Sequence, residues 1–339
     1  MKKTTDFGHA LQVFLTVHLP GTAGASPATI KSYRHSFIRF LEFMRAIHGI
    51  SASDIRLSDL TFEHVKEFLA WLESCGNSAS TRNQRQAAML SFVRFLVYEC
   101  PDYMEEYQRI LSLPFKKCLR AEISYAKQDG IKAFLEQMDR GTREGLRDYV
   151  MFSLLYTTGL RVSELIGLRV KDVSLQKPCT LLVHGKGNKY RYVPVVEHIR
   201  PALLEYLDRN GLDKTERLGD WLFTSHTRKQ FTRQGINYLV SKYTKAVNAA
   251  CPGMLPDDFS PHKIRHSTAM GLVAEGVDLI YIRDLLGHVS VTTTEVYARA
   301  DAKLRREAIE AASKNIVPQE DAQWDNDVDL KEWLKGFSR

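Results

Sequence analysis

No uninterrupted apolar run in this chain approaches the ~18–20 residues of a helical membrane span. The opening stretch MKKTTDFGHALQVFLTVHLPG begins with two lysines, as a leader peptide does. Asp6, His9 and Gln12 break up its apolar part, however, so it reads as an amphipathic helix instead. Cysteine is scarce. Cys75, Cys100, Cys118, Cys179 and Cys251 are odd in number, scattered, and never form a C-x-x-C pair. That pattern argues against a disulfide framework and a zinc–thiolate site, and fits reduced thiols in a cytosol. The chain also lacks a phosphate-binding loop of the form G-x-x-x-x-G-K-[ST], a Mg²⁺-type carboxylate cluster, an internal repeat and any low-complexity tract.

What is present suits a globular protein. With 339 residues, 44% hydrophobic and 26% charged, the chain has room for two domains. The net charge of +7 is unevenly spread. Residues 1–120 carry 15 Lys and Arg against 11 Asp and Glu, residues 121–317 carry 29 against 23, and the last 22 carry 3 against 6. Both large segments are basic and the tail is acidic. Basic surfaces attract polyanions by releasing counterions, although an excess this small is common in ordinary domains.

Residues 1–110 read as helical throughout. Ser26 is placed to cap a helix with Pro27 at its first position. Ile30, Tyr33, Phe37, Phe40, Leu41 and Met44 then recur at helical spacing and should face a core. Lys31, Arg34, His35 and Arg39 fall off that stripe and form a basic outer face. Arg82 and Arg85 lie in the first turns of a later helix, where the dipole disfavours cations. Either a phosphate backbone or plain solvation accounts for them. Residues 111–127 mix Pro, basic and small residues without periodicity and read as a linker. Helical patterns follow around 128–139 and 144–158. The one clear β signal is Cys179–Val196, two β-rich runs flanking Gly185-Lys186-Gly187-Asn188, which reads as a hairpin. Helical patterns then resume to about Lys314. The expected fold is mainly α (α+β): a helical N-terminal domain, then a mixed α/β domain with a small antiparallel sheet.

Five pieces of the second domain hold chemistry: TTGLRVSELIGL with Arg161, HGKGNKYRYVP with Lys186, SPHKIRHSTA with His262 and Arg265, LLGHVS with His288, and TTTEVYAR with Tyr297. Singly, each has a bland reading. Arg161 and Glu164 make an i,i+3 ion pair, the Gly-Lys-Gly-Asn turn is a turn, and Tyr297 is a core or surface aromatic. His262 and His266, four apart, have zinc-ligand spacing, but no Glu follows the first and Arg265 sits between them, which argues against a metal. Together the pieces supply what metal-free phosphodiester cleavage requires. Arginine forks match phosphate oxygens and never lose charge, a tyrosine hydroxyl is a nucleophile once activated, and Lys or His can protonate a leaving oxygen.

In order and approximate spacing, TGLRVSEL, GKGNKYRYVP, HKIRH, LLGH and TEVYAR resemble the motifs of the tyrosine recombinases, the phage-integrase and Xer-type site-specific recombinases. The resemblance covers the whole catalytic half. The N-terminal half matches only in character, as a helical, basic, core-type DNA-binding domain. One departure, Ile264 where Leu is common, conserves volume.

The resemblance implies that Arg161 and Arg265 clamp the scissile phosphate and that Lys186 is the general acid for the leaving 5′ hydroxyl. His262 and His288 would hydrogen-bond the phosphate and assist proton transfer to and from the tyrosine. Tyr297 would attack, forming a 3′-phosphotyrosyl link. Glu164 is expected to orient its neighbours and His266 to pack or support. Lys31, Arg34, Arg39, Arg82 and Arg85 are the candidate DNA contacts. The bond energy is kept in the phosphotyrosine, so neither ATP, a metal nor another cofactor is called for.

The implied organisation is a DNA-binding domain at 1–110, a linker at 111–127, a catalytic domain at 128–317 and an acidic tether with a short helix at 318–339, the two domains closing as a clamp around DNA. The tail helix, with Leu330, Trp333, Leu334 and Phe337 on one face, resembles the family segment that docks on a neighbouring protomer; packing on its own domain is the alternative. Partners would be a double-stranded recombination site and three further copies, a homotetramer on two duplexes, in the cytoplasm with the nucleoid. Helices that begin by about residue 6 leave no extra arm-binding domain of the large-integrase kind. Together with the long segment after Tyr297, this favours a mobile-element integrase or transposase over housekeeping chromosome-dimer resolution. A type IB topoisomerase and an inactive DNA-binding regulator are the remaining alternatives.

Overall fold

The structure, a computed structural model, describes residues 5–118, 123–185, 189–287, 290, 294, 295 and 297. The chain divides into two units, residues 1–121 and 122–339.

The first unit is helical: α1 (Asp6–Val13), α2 (Pro27–His48), α3 (Phe62–Ser74), α4 (Ala79–Glu99) and α5 (Met104–Leu111). Local chemistry sets their starts. The Ser26 hydroxyl accepts from the Thr29 amide at 3.2 Å with Pro27 at the first helical position, and Ser78 caps α4 through the Thr81 amide at 3.3 Å. The first amphipathic stretch differs from a plain helix. After Val13 it continues in wider turns over Phe14–Thr22, with Pro20 inside. Proline has no amide to give, and the wider ladder closes beyond it through the Ala23 and Ala25 amides on the His18 and Leu19 carbonyls. The core is aromatic. Phe92 of α4 meets Phe7 at 5.7 Å, Phe14 at 5.2 Å and Phe37 at 5.2 Å between ring centroids. Of the stripe read from α2, Phe37, Phe40 and Met44 are buried, while Ile30, Tyr33 and Leu41 are half-buried against the same core.

The second unit is built around α7 (Arg143–Thr158), whose Val150, Met151, Phe152, Leu154 and Leu155 are all buried. A helix apolar on every side belongs at the centre of a domain. Around it lie α6 (Gln128–Glu136), α8 (Val162–Leu165), α9 (Arg200–Arg209), α10 (Arg233–Ala250), α11 (Pro261–Ala274) and α12 (Leu279–Leu286). The sheet is antiparallel with order β1-β2-β3: β1 (Val173–Ser174), β2 (Thr180–His184) and β3 (Tyr190–Pro194). The hairpin read from the sequence is β2–β3, in the register Leu181↔Val193 and Val183↔Arg191. Two-residue alternation buries Leu181, Val183 and Val193 and leaves Tyr190 and Tyr192 exposed. Arg191 therefore falls on the inner face.

Candidate active site

Two helices that end in left-handed glycines frame the site. Gly159 (φ +58°) stops α7 and Gly287 (φ +64°) stops α12. Both conformations disfavour a side chain, and space forbids one as well. A Cβ on Gly159 would lie 2.5 Å from Leu286 Cδ2, and one on Gly287 would lie 2.9 Å from the Arg191 guanidinium carbon.

The carbonyls at these helix ends receive the arginines. Arg265, on α11 and 3% exposed, donates to the Gly159 oxygen at 2.5 Å and to the Leu286 oxygen at 2.6 Å. Arg161 follows Gly159 by two residues and donates to the Gly287 oxygen at 3.1 Å. The negative ends of two helix dipoles thus hold both guanidiniums. Burial and the neighbouring Arg161 lower Arg265 to about 10, which leaves it charged at neutral pH.

Glu164 ties this pair to the sheet. It is buried, accepts from the Arg161 backbone amide at 2.9 Å and from Arg161 Nη1 at 2.9 Å, and takes a two-pronged contact from Arg191 at 3.0 and 2.9 Å. Burial alone would raise its pKa, but the hydrogen bonds from Arg191 and Arg161 outweigh that and the net shift is downward. The base of the β2–β3 hairpin adjoins the same cluster: Gly185 lies against the Arg191 guanidinium and the Glu164 carboxylate, and its amide donates to the Lys189 oxygen at 2.7 Å.

On α11, Ser260 caps and Pro261 opens a helix that puts His262, Arg265, His266 and Ala269 along one face. His266 Nδ1 is 2.9 Å from the Tyr297 hydroxyl, and the His262 and His266 rings meet edge to face at 4.2 Å. Tyr297 is 4% exposed, enclosed with Ala269, Met270, Val273, Ile282 and Leu286. Burial raises its pKa, while Arg265 and Arg161 pull it the other way. Burial, then His262, Arg265 and Lys263, press His266 down to about 4, so its ring is neutral at physiological pH. Partial desolvation together with Arg265 and Arg161 lowers His262 as well.

Of the residues singled out from the sequence, Arg161, Glu164, His262, Arg265, His266 and Tyr297 belong to this cluster, whereas Lys186 and His288 lie outside the described residues. The tail beyond Tyr297 lies outside them too. Sequence reasoning missed Arg191. Its signal is an arginine in phase with Val193 on a strand whose inner face is otherwise apolar; such a side chain needs a buried carboxylate, and Glu164 is one. His266 was expected to pack or support, but it meets the tyrosine hydroxyl directly. Among the described residues no group of three or more His, Cys, Asp and Glu is placed to hold a metal, and no helix is long and apolar enough to cross a membrane.

In the first unit, Lys31, Arg34 and His35 are exposed. Arg39 pairs with Glu42 and lies over the Trp71 ring at 4.8 Å. Arg82 is held by Gln86, Asn83 and Glu73. Arg85 touches Asn77 at 3.4 Å, while its buried Nε and Nη1 have no hydrogen-bond partner among the described residues. Burial and the adjacent Arg39 lower its pKa.

The phage integrase family model matches residues 125–303, and the N-terminal SAM-like domain model of phage integrases matches residues 14–99. A putative integrase/recombinase, y4rC, of Sinorhizobium fredii (strain NBRC 101917 / NGR234) is 31% identical over 92% of this chain and 93% of its own length. Tyrosine recombinase XerC of Staphylococcus epidermidis (strain ATCC 35984 / DSM 28319 / BCRC 17069 / CCUG 31568 / BM 3577 / RP62A) is 28% identical over 83% of this chain and 90% of its own. The solved Tn1549 transposon integrase, in complex with circular intermediate DNA, shares the fold at a TM-score of 0.67 and 19% identity, covering 91% of this chain and 100% of the other. The chain belongs to the phage integrase family, the tyrosine recombinases.

Proposed function

We propose that this chain is a site-specific DNA recombinase in which Tyr297 attacks the scissile phosphate and forms a 3′-phosphotyrosyl bond, freeing a 5′ hydroxyl. The observation that carries the reading is the enclosed Tyr297 hydroxyl, 2.9 Å from His266 on the helix that also bears Arg265. Arg161 and Arg265 clamp the phosphate, where their forks meet charge that accumulates on its oxygens. Glu164 and Arg191 lock Arg161 in place. Lys186, on the hairpin whose base adjoins Glu164, protonates the leaving oxygen; His262 and His288 hydrogen-bond the phosphate.

Lys31, Arg34 and Arg85 of the first unit meet the backbone of duplex DNA, while Arg39 and Arg82 are engaged within their own domain. Cutting and exchange take place in a homotetramer on two duplexes in the cytoplasm, with the acidic 318–339 segment docking on a neighbouring copy. The likeness to y4rC and to a transposon integrase supports a mobile-element integrase or transposase. The likeness to XerC supports chromosome-dimer resolution as the second reading.

The test is a nicked suicide duplex carrying the inverted repeats or resolution site that flank the gene. Wild type should become covalently attached to DNA, and Tyr297→Phe should bind without attaching. An adduct formed by Tyr297→Phe, or none formed by wild type on its site, overturns the reading.

A further inference from the structure

We propose that His266 takes the proton from the Tyr297 hydroxyl as that oxygen attacks phosphorus. The inference rests on Tyr297 being the nucleophile. It reassigns the nucleophile's proton to a residue whose sequence context suggests packing or support.

Geometry comes first. His266 Nδ1 lies 2.9 Å from the Tyr297 oxygen, within the reach a base needs for the proton it removes. The rings are 5.5 Å apart at an interplanar angle of 59°, so the contact is a hydrogen bond at the ring edge and not a stack. The ring is neutral, and in the tautomer that carries its proton on Nε2 the Nδ1 atom accepts from the phenol, which is the form the proposed transfer uses. His262 sits one turn earlier with its ring 4.2 Å away. Of the two rings, His262 is the more open to solvent.

The step balances. The Tyr297 oxygen bonds to phosphorus, the P–O5′ bond breaks, the phenolic proton moves to Nδ1 to give an imidazolium, and the 5′ oxygen takes its proton from the acid assigned to Lys186. Rejoining runs the same transfers backwards.

DNA itself strengthens this base. Besides burial, the groups facing His266 that hold its proton affinity down are His262, Lys263 and Arg265 on its own helix. Tyr297 faces it from the other side, and Arg161 acts on both Tyr297 and His262. A phosphodiester between Arg161 and Arg265 offsets that positive field. His266 is then a weak base in the free protein and a better one only when a phosphate is in place, which guards the tyrosine from activation without substrate.

Single-turnover attachment to a nicked duplex tests the proposal, using either the ordinary 5′ oxygen or a 5′-bridging sulfur at the cut. Sulfur leaves without a proton, so it rescues defects on the leaving-group side only. His266→Asn, which keeps a hydrogen-bond acceptor near Nδ1 but no base, should lose roughly 10²-fold or more in rate with both leaving groups. Duplex binding should stay within about threefold of wild type on the scale of that effect. The acid limb of the wild-type pH–rate profile should vanish in this variant. His266→Ala should regain rate when imidazole is added, and this second variant reads the same step if the Asn variant folds poorly. A His266→Asn rate within about threefold of wild type, rescue of its defect by sulfur, or a His266→Ala defect indifferent to imidazole overturns the proposal. Attachment by Tyr297→Phe overturns the nucleophile assignment instead, so the two failures are distinguishable.

Discussion

Glu164 holds two arginines, Arg161 and Arg191, on one buried carboxylate, so its charge matters more than its volume. Glu164→Gln keeps the shape and removes the charge. Breaking a fully buried ion pair typically costs about 3–5 kcal/mol, and the partly exposed Arg161 and Arg191 bring the figure here to the lower end of that range. We expect a loss of that order in urea unfolding of the full chain, with attachment to a nicked duplex falling more steeply than DNA binding. His266 gives a second residue-scale expectation. Its folded pKa of about 4 lies below the ordinary 6.5. The unfolded chain therefore takes up a proton first as the pH falls. The stability that comes from keeping His266 neutral is fully present above 6.5 and is lost between 6.5 and about 4. Thermal melts of His266→Asn should show a shallower decline across that window than wild type; identical slopes would remove His266 as the source.

At the level of elements, the helix ends are where the site is made. Gly159→Ala forces a side chain into a left-handed position and against Leu286, so α7 and α12 must part to admit it. The expected cost is about 1–3 kcal/mol, as for other overpacked cores. Attachment should fall as well, because both arginine acceptors move. Phe92→Ala in α4 tests the other unit. It empties the place where Phe7, Phe14 and Phe37 meet, and should destabilise by about 3–5 kcal/mol in denaturant melts while leaving the second unit's transition in place. These elements also show what a sequence makes legible. Ser26-Pro27 and Ser260-Pro261 announce helix starts through chemistry local to a few residues, and alternation around Gly185 announces a hairpin. The strand Val173–Ser174 is too short to carry a period and exists only because Leu181 and Thr180 offer it a partner. The widened turns around Pro20 depend on a hydrogen-bond ladder that no residue type encodes alone. The motif residues Arg161, His262, Arg265 and Tyr297 were readable from their order along the chain. The Arg191–Glu164 contact joins positions 27 apart and becomes visible only when the sheet edge is folded against α8.

On the scale of the whole molecule, the basic excess of residues 1–317 predicts that DNA affinity falls linearly with the logarithm of salt concentration, with a slope of about −0.9 per phosphate neutralised. Lys31→Ala and Arg34→Ala should each reduce that slope in a titration, since both are exposed, whereas Arg82→Ala should act through stability because its side chain is engaged within its own domain. Removing residues 318–339 should leave binding to a single site intact and abolish recombination between two sites. Full recombination by the shortened chain would dismiss the tail as an assembly element. The clamp has one more consequence in solution. Arg265 is held by neutral main-chain oxygens, and Arg161 and Arg191 share the single Glu164 carboxylate, so among the described residues guanidiniums outnumber carboxylates three to one and an oxyanion is attracted. At equal ionic strength, sulfate should therefore inhibit strand cleavage more strongly than chloride. The enzyme's tolerance of salt then depends on which salt it is given.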